Sequence, residues 1–203
     1  ENRAYGPDST TIIAAITPTN TASAVGALRI SGPEAPRAAY AVLEPKAAAA
    51  KTKETIRPHF LYRCRAHDGA GQTIDDGLFV FMRGPRSFTG EDVVEIQLHG
   101  NPQILSRVVG AVVKAGLARP AERGEFSFRA FRNGKIDLSQ AEGISDLIGA
   151  RTPAAAQVAL AAVGGETKNR LAQLKQKLVS LLAEVEVDID FSDQGLSVLD
   201  YGR

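Results

Sequence analysis

The chain has 203 residues, with 24 basic and 23 acidic side chains and a formal charge of +1, so no global basic field announces a nucleic-acid binder. One cysteine, Cys64, and three histidines exclude an internal disulfide and give no recognisable zinc pattern, which points to a reducing compartment. No apolar run approaches the roughly 20 residues of a membrane span, so the chain is expected to be soluble. Its first ten residues, ENRAYGPDST, have neither the apolar stretch of a secretory signal nor the length of a transit peptide, although a cleaved presequence would leave no trace.

In chain order, TTIIAAIT (10–17) and GALRIS (26–31) read as neighbouring strands, the second closed by Gly32-Pro33. PEAPRAAYAVL (33–43) suits a helix, and AAAAKTKE after it a polar connection. HFLYRCRA and DDGLFVFM, separated by the Gly-rich HDGAGQT, form a predicted hairpin. In EDVVEIQLHG (91–100), Val94, Ile96 and Leu98 face one side of a strand and Val93, Glu95, Gln97 and His99 the other. NPQILSRVVGAVVKAG (101–116) is a helix with Asn101 as cap, Ile104, Leu105, Val108, Val109 and Val112 on one stripe, and Gly116 at its end. To about residue 135, then, short strands are mixed with two helices.

Beyond Lys135 the period is helical. Asp137 and Gln140 form a capping box before Leu138, Ala141, Ile144, Leu147 and Ile148; Thr152-Pro153 starts a second helix; Gly164-Gly165 breaks it. A longer helix begins near Glu166, striped by Leu171, Leu174, Leu178, Leu181 and Val185, and that stripe needs partners, which suggests a fragment. The domain boundaries are therefore placed at 1–135 and 136–203.

Chemical motifs are few. A phosphate-cradling Gly-rich loop ending in Lys-Ser/Thr is missing, and GGETKNR (164–170) has the spacing of a helix break. Cys64 sits in a strand with no implied base, so it reads as an inert thiol; His59, His67 and His99 are too scattered for a metal. Three charges stand out. Glu95 projects from a sheet face, where it can accept two parallel hydrogen bonds from a heterocycle or rest as a solvated or salt-bridged strand residue. Arg29, between Leu28 and Ile30, can meet an anionic ligand tail or lie on a wet face. Lys135, in RAFRNGKIDLSQAEG, is held between Gly134 and a capped helix more firmly than a surface lysine usually is.

The stretches LRISGP, SFTGEDVVEIQLHG and GEFSFRAFRNGKIDLSQAEGISDLIGARTPAA carry a resemblance to the N-terminal part of the MnmE/TrmE family of tRNA-modification GTPases, covering nearly the whole chain. The resemblance implies an α+β fold, a folate-binding domain like that of the glycine-cleavage T-protein followed by an α-helical segment. It implies that the N-terminal domain forms a homodimer and binds a tetrahydrofolate derivative (5-formyl- or 5,10-methylene-tetrahydrofolate). A Ras-like GTPase domain with its GTP, Mg and K, and the last helices, would lie outside this chain, which is then not expected to hydrolyse GTP. Carried over, the folate contacts fall on Arg29, Glu95 (for the pterin) and Lys135, with no catalytic residue. An FAD-dependent partner of the MnmG type and tRNA complete the implied system, which modifies the wobble uridine.

Two departures matter. TPTNTASAVGALRISG replaces the Gly-rich loop of the bacterial pattern and is closer to the fungal mitochondrial branch, tilting the expected location to mitochondria over a bacterial cytoplasm; Arg123 in RPAERGEF stands where proline is common. Two rivals are a stand-alone T-protein-like aminomethyltransferase and a dimerisation scaffold without ligand.

Overall fold

Alternation builds the sheet. In the computed structural model, which describes residues 10–47 and 55–190, the strands are β1 (Ile12–Ala15), β2 (Ser23–Ser31), β3 (Leu43–Pro45), β4 (Leu61–His67), β5 (Thr73–Met82), β6 (Val93–Gly100) and β7 (Arg119–Pro120). The helices are α1 (Ala35–Tyr40), α2 (Pro102–Lys114), α3 (Glu125–Arg132), α4 (Leu138–Gly149), α5 (Pro153–Val163) and α6 (Glu166–Asp190). The chain divides into two units, Glu1–Ile136 and Asp137–Arg203. The mixed sheet with its helices makes the fold α+β.

One seven-stranded sheet, ordered β3-β4-β5-β6-β2-β1-β7, occupies the first unit. Its pairs are antiparallel except β1 with β7. Leu28 and Ile30 of β2, Phe79 and Phe81 of β5, and Val94, Ile96 and Leu98 of β6 share one face and pack with Leu105, Val108 and Val112 of α2 and Ala35 and Ala38 of α1. Each large apolar side chain so buried contributes roughly 1.5–3 kcal/mol, so a one-residue slip of β6, turning three of them to the opposite face, is strongly disfavoured. Asn101 caps α2, its side chain accepting from the Gln103 N–H at 2.8 Å.

Three features differ from the sequence reading. The helix expected over 33–43 is confined to Ala35–Tyr40, because Leu43 leaves it to pair with Ala66 of β4. Edge-strand pairing and burial of Val42 and Leu43 outweigh the local helical pattern. The two-residue β7 and the third helix α3 were not expected before residue 135; α3 has eight residues and opens on Gly124 at φ 76°, with no side-chain cap to announce it. The polar connection AAAAKTKE lies largely outside the described residues.

In the second unit the capping box is formed: Asp137 Oδ1 accepts from the Gln140 N–H at 2.9 Å and Gln140 Oε1 from the Asp137 N–H at 3.0 Å. The helices α4 and α5 approach closely at Gly143, where a Cβ would stand 2.9 Å from Ala162 Cβ. The Gly164-Gly165 break then releases α6, 25 residues long and roughly 37 Å at 1.5 Å per residue. No side chain of α6 is buried within the described residues, and Leu171, Leu174, Leu178 and Leu181 are exposed. No helix among the described residues is long and apolar enough to cross a membrane.

Candidate functional site

With Leu28 and Ile30 turned into the core, β2 must direct Arg29 to the opposite sheet face, where the register sets it directly across from Glu95 on β6. The two form one constellation. Arg29 donates to Glu95 through Nε at 2.8 Å and approaches it through Nη2 at 2.7 Å, both on Oε1. No donor among the described residues reaches Oε2. The side chains are 20% and 22% exposed, open enough to meet a ligand and sheltered enough for the charges to matter. Two rings complete the arrangement: the guanidinium carbon of Arg29 lies 5.1 Å from the centroid of Phe88 and 5.5 Å from that of Phe126, within cation–π range.

Those rings come from the loop joining β5 to β6 and from α3, and a buried polar network ties the two together. Glu91 is 1% exposed and Arg129 is 3% exposed. Arg129 Nη1 donates to Glu91 Oε2 at 3.1 Å, and Nη2 donates to the Thr10 carbonyl at 2.8 Å and to Glu125 Oε1 at 2.9 Å. The Ser31 hydroxyl donates to Glu91 Oε2 at 2.7 Å and shares a 2.7 Å hydrogen bond with Thr89. Arg119 grips Glu125 with both terminal nitrogens, at 2.9 and 2.6 Å. Partial burial works against ionising Glu125, but hydrogen bonds from Arg119, the Glu122 N–H and Arg129 outweigh it and hold the carboxyl down at about 2.

Lys135 follows the end of α3. The Lys135 N–H donates to the Ala130 carbonyl and the Gly134 N–H to Phe131, a Schellman ending with Gly134 at φ 68°. The ammonium is exposed and donates to the Pro85 carbonyl at 2.9 Å, while Asn133 Nδ2 donates to the Thr89 carbonyl at 2.7 Å. Gly90, at φ 78°, lets the loop pass close: a Cβ there would meet Lys135 Cγ at 3.2 Å. Lys135 thus contacts the loop that carries Phe88, rather than Arg29 or Glu95 themselves.

The remaining reactive groups lie apart. Cys64 is fully buried; burial and, after it, the nearby Asp76 charge push its thiol up to about 12, which leaves no thiolate at neutral pH. His99 Nδ1 pairs with Asp75 Oδ1 at 2.8 Å. No group of three His, Cys, Asp or Glu residues stands ready for a metal among the described residues. Sequence reasoning missed Phe88, Phe126, Glu91 and Arg129. The signal for two of them, Phe126 and Arg129, was the spacing in GEFSFRAFR, where Phe126, Arg129 and Ala130 fall on one helical stripe and Glu125 precedes Arg129 by four.

The fold and site thus define an α+β sheet domain, with an aromatic-flanked Arg–Glu pair on the face away from its core, followed in sequence by a helical segment. Residues 11–135 match the family model described as "GTP-binding protein TrmE N-terminus", and residues 138–202 match "MnmE helical domain". The chain belongs to the MnmE/TrmE family. It is 42% identical over 177 residues to "tRNA modification GTPase MnmE" of Aquifex aeolicus, covering 87% of this chain and 38% of that protein. Proteins of the same name from Legionella pneumophila (strain Corby) and Pseudomonas syringae pv. syringae are 41% and 42% identical over 193 residues, covering 95% and 94% of this chain and 41% and 40% of theirs. The chain spans about two fifths of the length of these relatives.

Proposed function

We propose that the first unit is a folate-binding and dimerising domain, and that with the helical segment it forms part of a GTPase that modifies the tRNA wobble uridine beside an FAD-dependent MnmG-type partner. Support comes from the relatives, named tRNA modification GTPases, and from the site. The single observation that carries the ligand reading is the Arg29–Glu95 pair between Phe88 and Phe126, with no donor among the described residues on Glu95 Oε2.

The residues present fit a folate. A pterin edge offers a ring N–H and an amino group, and Glu95 can accept them through Oε2 together with Oε1 once Arg29 gives up one of its two contacts there. Phe88 and Phe126 offer apolar faces to a flat heterocycle, and Arg29 and Lys135 offer cations to the anionic glutamate tail. When bound, the folate would supply a one-carbon unit; the chain's own side chains bind and orient it. GTP, Mg and K belong in this reading to a GTPase domain outside the span, since the chain carries no phosphate-cradling loop. The relatives named are bacterial, which favours a bacterial cytoplasm over the mitochondrial location suggested by the loop after β1.

Calorimetric titration with 5-formyltetrahydrofolate, beside the Glu95→Ala variant, tests the reading. Saturable binding weakened roughly 10-fold or more in the variant is expected, the range for losing hydrogen bonds to a charged acceptor. A folded chain with no saturable heat overturns the folate assignment and leaves a scaffold role.

A further inference from the structure

We infer that Arg129 and Glu91 are positioning residues for the Arg29–Glu95 site, the buried pair fixing where Phe88 and Phe126 stand over the Arg29 guanidinium. The inference rests on the ligand reading proposed above. Phe88 precedes Glu91 by three residues on one loop, and Phe126 precedes Arg129 by three on α3, so each ring is carried by the segment that holds one member of the pair. The pair is short, at 3.1 Å, and almost wholly removed from water, with exposures of 1% and 3%.

Two further partners tie it to β2 of the site and to the neighbouring β1. Ser31, bonded to Glu91, lies two residues from Arg29 on β2, and the Thr10 carbonyl, bonded to Arg129, lies at the entry to β1. Arg129 therefore ties α3 to the loop and to the sheet through one planar fork, which a lysine cannot reproduce. Nothing in the pair reaches the open side of the sheet, so its influence on a ligand passes through the rings and through Arg29.

The test uses the full chain with ring-fluorinated phenylalanine placed at position 88 or 126. Fluorine NMR reads the ring environment, and calorimetry with 5-formyltetrahydrofolate reads affinity. Arg29→Ala supplies the reference shift of a ring that has lost its guanidinium. Arg129→Lys and Glu91→Gln are expected to keep wild-type far-UV circular dichroism, to move both resonances toward that reference, and to weaken binding at least tenfold. Folded variants with unmoved resonances, or with moved resonances and wild-type affinity, overturn the inference. If both variants fail to fold, Ser31→Ala, which removes only the hydroxyl on Glu91, is judged by the same two readouts. If the wild type binds no folate, the ligand reading fails by itself, and the resonances alone decide whether the pair sets the rings.

Discussion

Arg29 and Glu95 are cross-strand partners on the β2–β6 ladder, 2.7 Å apart, and two aromatic rings lie beside the arginine. Partly exposed ion pairs contribute up to about 1 kcal/mol, and each cation–π contact about 0.5–1 kcal/mol at such sites. Arg29→Ala is therefore expected to cost about 1–2 kcal/mol, read as a lower urea midpoint with unchanged slope. The ion-pair share should shrink in 1 M salt and the ring share should persist. A variant as stable as wild type at low salt would remove the pair from any account of the sheet's stability.

Lys135 separates anchoring from binding. Its ammonium is exposed and makes one hydrogen bond, to the Pro85 carbonyl, so Lys135→Ala should lower stability by no more than about 1 kcal/mol. If the lysine meets an anionic tail, the same variant weakens 5-formyltetrahydrofolate binding and flattens its dependence on ionic strength. Equal affinity and equal salt dependence in variant and wild type would assign Lys135 to the loop alone.

How far the sequence revealed this site follows from the range of each interaction. Alternation in EDVVEIQLHG fixed the face of Glu95, and the flanking Leu28 and Ile30 fixed that of Arg29, because a strand has a period of two wherever one face is buried. That these charges face each other depends on a register set across a sequence separation of 66 residues, which local pattern does not encode. Phe88 was illegible for the same reason, and the stripe that holds Phe126 does not say what the ring faces: each ring meets Arg29 only after the loop and α3 are drawn in by Glu91 and Arg129. The capping box at Asp137 and Gln140, by contrast, is contained within four residues and was read directly.

Glu125 gives the fold an acid-sensitive clasp. Its carboxyl is held at about 2 in the folded chain against an ordinary 4.5, so the folded state favours the ionised form. The resulting stability is fully present above about 4.5 and is lost as pH falls toward about 2. Glu125→Gln should be less stable at neutral pH, and its unfolding midpoint should decline less steeply across that acid window. Parallel declines in the two proteins would show that other carboxylates dominate acid unfolding.

The same substitution at two glycines should act with opposite sign. A Cβ on Gly77, in the middle of β5, would stand 2.2 Å from the Gln97 carbonyl oxygen and 2.7 Å from Leu98 Cδ2, so alanine there must push β5 away from β6. Overpacking of this kind costs about 1–3 kcal/mol, and here the intruded atom is backbone that cannot rotate aside. Gly110, in the exposed middle of α2, has nothing beyond its own stretch of helix backbone within 4 Å of where a Cβ would stand, and alanine there only removes the entropic cost of a helical glycine, about 0.5–1 kcal/mol. Thermal unfolding of Gly77→Ala and Gly110→Ala should bracket the wild type, the first below it and the second above. A Gly77→Ala chain as stable as wild type would mean that β5 and β6 are not held as closely as the register requires.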